Sequence, residues 1–132
     1  MPHISVEYSS NLEDRADIPG LCEVLRRTAA ALEVFPETGV RVRAFRADHY
    51  AIADGDPENG FVDISVRLRE GRAQDVKEAA TAALFDAVKT HLAALIAARP
   101  VMVSMEMRDI DARLAPKLNT VTAYIEGKRA HG

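Results

Sequence analysis

A strand–helix–strand pattern that occurs twice constrains this chain more than any other feature. Ile4, Val6 and Tyr8 alternate with His3, Ser5 and Glu7, a period of two that describes a strand with one buried face. Asp17-Ile18-Pro19-Gly20 then opens a helix, with Asp17 as its cap and Pro19 in its first turn. Leu21, Val24, Leu25, Thr28 and Leu32 keep helical spacing, and Pro36 is expected to end the element. From residue 40 alternation returns, with Val40, Val42 and Ala44 on one face and Arg41, Arg43 and Phe45 on the other. A turn-rich break over residues 53–60 separates this from a second round. There Val62, Ile64, Val66 and Leu68 form a strand, and Val76, Ala80, Leu84, Val88, Leu92, Leu95 and Ile96 mark one long helix. Pro100 stops that helix, and Val101, Val103, Met105 and Met107 give a fourth strand. Residues 121–125 read as a short fifth strand.

The two rounds are offset by about 60 residues, the mark of a duplicated unit. One domain over residues 1–132 is expected, with pseudo-repeats near 2–53 and 61–110 and a tail over 111–132. Each round should form a βαβ crossover with parallel strands. Two such units side by side give an α/β (α+β) fold, a four-stranded mixed sheet with both helices on one face. The other face would carry Arg41, Arg43, Phe45, Met102 and Ser104, too mixed for a core and in part too apolar for solvent. Association of copies of the chain would cover it.

Composition removes several function classes. With 48% hydrophobic and 28% charged residues the chain is of globular type, and its net charge of -3 offers no attraction to nucleic acid or to an anionic membrane. Cys22 is the only cysteine, so no intramolecular disulfide can form. No apolar run is long enough to span a bilayer, and the first residues lack a secretory signal pattern, so a cytoplasmic protein is expected. His3, His49, His91 and His131 lack ligand spacing, and Asp54, Asp56 and Glu58 lack a full calcium pattern, so no metal is expected.

Pro2 carries unusual chemical potential. Removal of Met1 would leave a secondary amine fixed at the start of a strand. An α-amino group titrates nearer neutrality than a lysine, and burial beside cations would lower it further, so the neutral base could be populated. Arg41 on the second strand and Arg72 in Glu70-Gly71-Arg72 are the second signal. Guanidinium offers two parallel donors to a carboxylate and stabilises a developing enolate. Arg43 shares a face with Arg41, and the sequence does not choose between them.

The sequence resembles the 5-carboxymethyl-2-hydroxymuconate isomerases of the tautomerase superfamily. The likeness runs from Pro2 to about Ile125. It rests on Met1-Pro2-His3, Asp17-Ile18-Pro19-Gly20-Leu21, Phe35-Pro36, Gly39-Val40-Arg41-Val42-Arg43, Ala53-Asp54-Gly55, Gly71-Arg72 and Lys89-Thr90-His91-Leu92-Ala93-Ala94-Leu95. Ala73 departs from it, standing where a hydroxyl residue often caps the second helix. The resemblance implies a homotrimer that isomerises a di- or tricarboxylate without a cofactor, in the breakdown of homoprotocatechuate and 4-hydroxyphenylacetate. It puts the catalytic proline on Pro2 and the substrate-binding arginines on Arg41 and Arg72. Another tautomerase-type activity on the same proline (aryl-pyruvate tautomerase, hydratase or dehalogenase), or a non-catalytic ligand-binding trimer, is the alternative.

Overall fold

In the computed structural model, which describes residues 2–131, the alternating segments become four strands: β1 (His3–Ser9), β2 (Arg41–Ala47), β3 (Gly60–Arg69) and β4 (Val101–Ile110). They form one mixed sheet in the order β2-β1-β3-β4. β1 runs parallel to β2, β3 runs parallel to β4, and the central pair β1–β3 is antiparallel. The strand–helix–strand path is thus traced twice, and the two rounds meet at the middle of the sheet.

Register explains why one face is dry. Ile4 lies opposite both Val42 and Val66, and Val6 opposite Ala44 and Ile64. These side chains therefore share a face, and Ile4, Val6, Ile64 and Val66 are fully buried. Helix α1 (Ile18–Ala30) buries Ile18, Leu21, Leu25 and Ala29 against it, and α2 (Gln74–His91) buries Ala80, Leu84 and Val88. Spacings of three and four align these residues along one stripe of each helix. Burying a leucine or valine side chain in this way contributes roughly 1.5–3 kcal/mol.

Asp17 caps α1 as expected, its Oδ1 accepting from the Gly20 N–H at 3.2 Å, and Pro19 sits in the first turn. The end of α1 differs. The helix stops at Ala30, well before Pro36. Tighter bonds from Leu32 N–H to Ala29 O and from Phe35 N–H to Leu32 O wind the chain inward and bury Phe35. Pro36 instead caps a 3₁₀ turn, Glu37–Gly39, that leads into β2. The expected single long helix is also two. At Leu92 the backbone leaves helical geometry (φ -94, ψ 10), and a short helix α3 (Ala93–Ala98) follows. Leu92 and Leu95 stay buried across the break, which no proline or glycine marks. Ala73 is the cap of α2 and supplies no side-chain bond.

The largest correction concerns the tail. Residues 121–125 are not a strand but the start of helix α4 (Val121–His131). Their β-branched and aromatic content favours a strand, but Asn119 decides otherwise. Its Oδ1 accepts from the N–H groups of Val121 at 2.8 Å and Thr122 at 3.3 Å, satisfying the first donors of a helix.

Candidate active site

β1 begins where three other segments converge. His3, the first residue of β1, pairs with Arg41 on β2 and with Arg67 on β3. Directly opposed residues share a face, so these three side chains lie on the side of the sheet turned away from the helices. Arg43, two residues further along β2, joins them, its Nη1 donating to His3 Nδ1 at 3.2 Å. A guanidinium can only donate, so Nδ1 is the acceptor and the neutral ring carries its hydrogen on Nε2. Burial, then the charges of Arg41, Arg67 and Arg43, lowers the His3 pKa to about 4. The imidazole is therefore neutral at physiological pH.

The segment after β4 closes this end of the sheet. It is tied first to the end of β3: Glu70 N–H donates to Ile110 O at 3.2 Å, and Ala112 N–H donates to Glu70 Oε1 at 3.4 Å. A 3₁₀ turn, Ala112–Leu114, is capped by Asp111, whose Oδ1 accepts from the Arg113 N–H at 3.0 Å. At its far end it is tied to the approach to β2. Thr122 Oγ1 donates to Thr38 Oγ1 at 2.9 Å, and Arg129 Nη2 donates to Glu37 Oε1 at 2.7 Å. Residues 111–120 thus form a strap that runs from β4 to the opposite edge of the sheet, past the start of β1.

Sheet and strap enclose a cleft of about 480 Å³ lined by His3, Arg41, Arg67, Arg69, Ile110, Ala112, Ala115, Pro116, Lys117 and Leu118. Four of these are cations, and among the described residues no carboxylate lines it. A cleft of one sign between low-dielectric walls concentrates anions. Pro2 is buried and immediately precedes the lining residue His3 in the chain, without itself lining the cleft. Arg41 lines the cleft directly, and its Nε and Nη2 donate to Gly39 O at 3.3 and 3.0 Å, which holds the guanidinium close to its strand.

The residues singled out from sequence are only partly gathered. Pro2, Arg41 and Arg43 come together at the start of β1, with Arg43 reaching His3 rather than the cleft. Arg72 does not line the cleft. It sits in the turn between β3 and α2, where Nη1 donates to Arg69 O at 2.7 Å and Nη2 to Val34 O at 3.1 Å. Gly71, at φ +111, supplies the backbone turn that sends Arg72 back along β3. Arg67, Arg69 and Lys117 were missed. The alternation that buries Val66 and Leu68 puts Arg67 and Arg69 on the cleft face, so the first two were readable; Lys117 lies on an aperiodic strap and was not.

Other concavities offer less. A wider one, about 720 Å³ between α2 and β4, has its cation Lys77 already paired with Asp109 at 3.2 Å. Among the described residues no cluster of three or more His, Cys, Asp or Glu side chains could hold a metal ion. Cys22 packs against the core, and burial raises its thiol pKa.

The sequence family described as 5-carboxymethyl-2-hydroxymuconate isomerase matches residues 2–125. The chain belongs to that family. The 5-carboxymethyl-2-hydroxymuconate Delta-isomerase of Escherichia coli is 36% identical over 126 residues, covering 96% of this chain and 100% of that one. The crystal structure of a 5-carboxymethyl-2-hydroxymuconate isomerase from Deinococcus radiodurans R1 matches with a TM-score of 0.86 and 34% identity, over 94% of this chain and 93% of that one. A more distant structure, a fused 4-OT wild-type symmetric trimer, shares the fold at a TM-score of 0.61 and 23% identity, over 92% of this chain and 98% of that one. Membership of the isomerase family makes this an enzyme of the isomerase class on a tautomerase-like fold. Among the described residues no helix is long and apolar enough to cross a membrane.

Proposed function

We propose that this chain, once Met1 is removed, isomerises 5-carboxymethyl-2-hydroxymuconate with the Pro2 nitrogen as general base and acid. The observation that supports it most is a cleft whose charged lining residues are all cations and which includes His3, the residue that follows Pro2. A 2-hydroxymuconate is a conjugated dienol between two carboxylates. The neutral amine takes the hydroxyl proton, a C=O bond forms at C2, and the electron pair moves along the diene. The protonated amine then delivers its proton to C3 or C5, so one O–H bond is exchanged for one C–H bond. The reaction needs a base that is neutral at working pH and a clamp that aligns the reacting carbon.

His3 reports the field in which that base sits. Burial and three neighbouring arginines hold the imidazole neutral, and the same two causes act on a buried amine one residue away. Arg41 is assigned to a chain carboxylate beside Pro2. Arg72, outside the cleft of its own chain, is assigned to the second carboxylate from a neighbouring copy of the chain, with two of its five donors spent on main-chain carbonyls that fix the group. Arg43 serves as a positioning residue that orients His3.

We also assign a homotrimer. Phe45 and Met102 are 56% and 57% exposed on the open face of the sheet, where association would bury them, and the trimer noted above shares this fold. A sedimentation coefficient fitting one 14.4 kDa chain would remove this part of the reading.

The chemical test is a substrate panel followed by ultraviolet absorbance. The processed chain should turn over 5-carboxymethyl-2-hydroxymuconate with the highest kcat/KM. Faster turnover of an aryl pyruvate or a haloacrylate would replace the assignment with another tautomerase-type reaction.

A further inference from the structure

Arg67, Arg69 and Lys117 line the cleft, and none of them is assigned to a carboxylate of the muconate chain. None of their side chains makes an ion pair or hydrogen bond with another described residue. Arg67 pairs with His3 in the sheet register, so it sits beside the start of β1 and sustains the positive field there. Arg69 lies two residues further along β3, beyond the first pair of β1, and Lys117 reaches in from the strap. Because β1 and β3 are antiparallel, Arg69 lies past the first residue of β1, on the side from which Pro2 enters the strand, and with Lys117 it forms a second cationic end apart from the row that holds His3, Arg41 and Arg67.

The proposed substrate has a third carboxylate. Its muconate chain carries two, and the carboxymethyl branch carries another on a rotatable methylene. The branch needs a cation that stands apart from the two chain clamps and can follow it. A lysine suits this need, being a point charge on a flexible stem, whereas an arginine imposes a planar fork. Hydrogen bonds tether the chain on either side of Lys117, from Ala112 to Glu70 and from Thr122 to Thr38, so the strap carries Lys117 across the mouth of the cleft.

We propose that Lys117, together with Arg69, is the specificity site for the carboxymethyl carboxylate, so that the strap selects a tricarboxylate over a dicarboxylate. The inference rests on the substrate reading above, but its test does not depend on turnover. Calorimetry would compare propane-1,2,3-tricarboxylate with glutarate, the same chain without the middle carboxylate, on the wild type and on Lys117→Met. The wild type should bind the tricarboxylate more tightly, and Lys117→Met should cut that preference about tenfold, the usual weight of one charge-assisted hydrogen bond. Lys117→Arg should restore part of it, which separates loss of charge from loss of shape. In the isomerase assay the ratio of kcat/KM for 5-carboxymethyl-2-hydroxymuconate to that for 2-hydroxymuconate should fall by the same factor. Equal binding of the two ligands by the wild type, or an unchanged preference in Lys117→Met, overturns the proposal. An inactive wild type that still prefers the tricarboxylate would instead count against the proline chemistry alone.

Discussion

Any residue left in front of Pro2, Met1 included, should lower kcat for isomerisation by roughly a thousandfold, within the usual weight of a general base. A free N-terminal proline is a secondary amine with a localised lone pair. Once acylated it is a tertiary amide, its lone pair is delocalised into the carbonyl, and it no longer accepts a proton at neutral pH. The fold should be unaffected, since β1 is held by its pairing with β2 and β3 and not by its first amine. Substrate binding should change far less than kcat, because the cations of the cleft remain in place. Pro2→Ala should fall between the two forms, as it leaves a primary amine that still titrates. The measurement is kcat on chains whose N-termini are verified by mass. Equal rates for processed and extended chains would move the base elsewhere.

Arg41→Ala should lower kcat/KM by roughly a hundredfold, the scale of one well-placed donor to a developing oxyanion. Arg41 is the one sequence-predicted arginine that both lines the cleft and pairs in register with the residue following Pro2. Its loss removes a carboxylate ligand and part of the field that keeps the amine neutral, so kcat should fall as well as KM rise. Arg41→Lys should recover only part of the activity, because the charge returns without the two-pronged geometry. Thermal stability should shift little, since the side chain is only half-buried and its hydrogen bonds to Gly39 O are local. A rate unchanged by Arg41→Ala would place the carboxylate elsewhere in the cleft.

How much of this was legible before the structure depended on periodicity. β1, β3 and β4 were readable because one face of each is covered, so burial alternates residue by residue, whereas in β2, where burial does not alternate, the residue types alone carried the pattern. The start of α1 was readable because Asp17 and Pro19 act locally. The break at Leu92 was not, since both sides keep the same apolar stripe and the backbone change carries no signal residue. The tail was misread because Val121, Thr122, Tyr124 and Ile125 suit a strand, whereas the Asn119 cap favours a helix. The candidate site divides along the same line. Pro2 and Arg41 are displayed by strand geometry, and so are Arg67 and Arg69 once alternation is followed to the end of β3. Lys117 is placed by two distant tethers, Glu70 and Thr38, whose closeness to the strap exists only in three dimensions.

Everything chemical here depends on the protonation state of one nitrogen. A ¹⁵N-proline-labelled sample, freed of Met1, allows the Pro2 resonance to be followed by NMR across the pH range. The cationic, desolvated setting predicts a pKa below the ordinary α-amino range of about 7.7–8.0. It also predicts a rise toward that range when Arg41 is replaced by alanine. A Pro2 nitrogen that titrates at or above the ordinary range, and is indifferent to Arg41, would contradict the account.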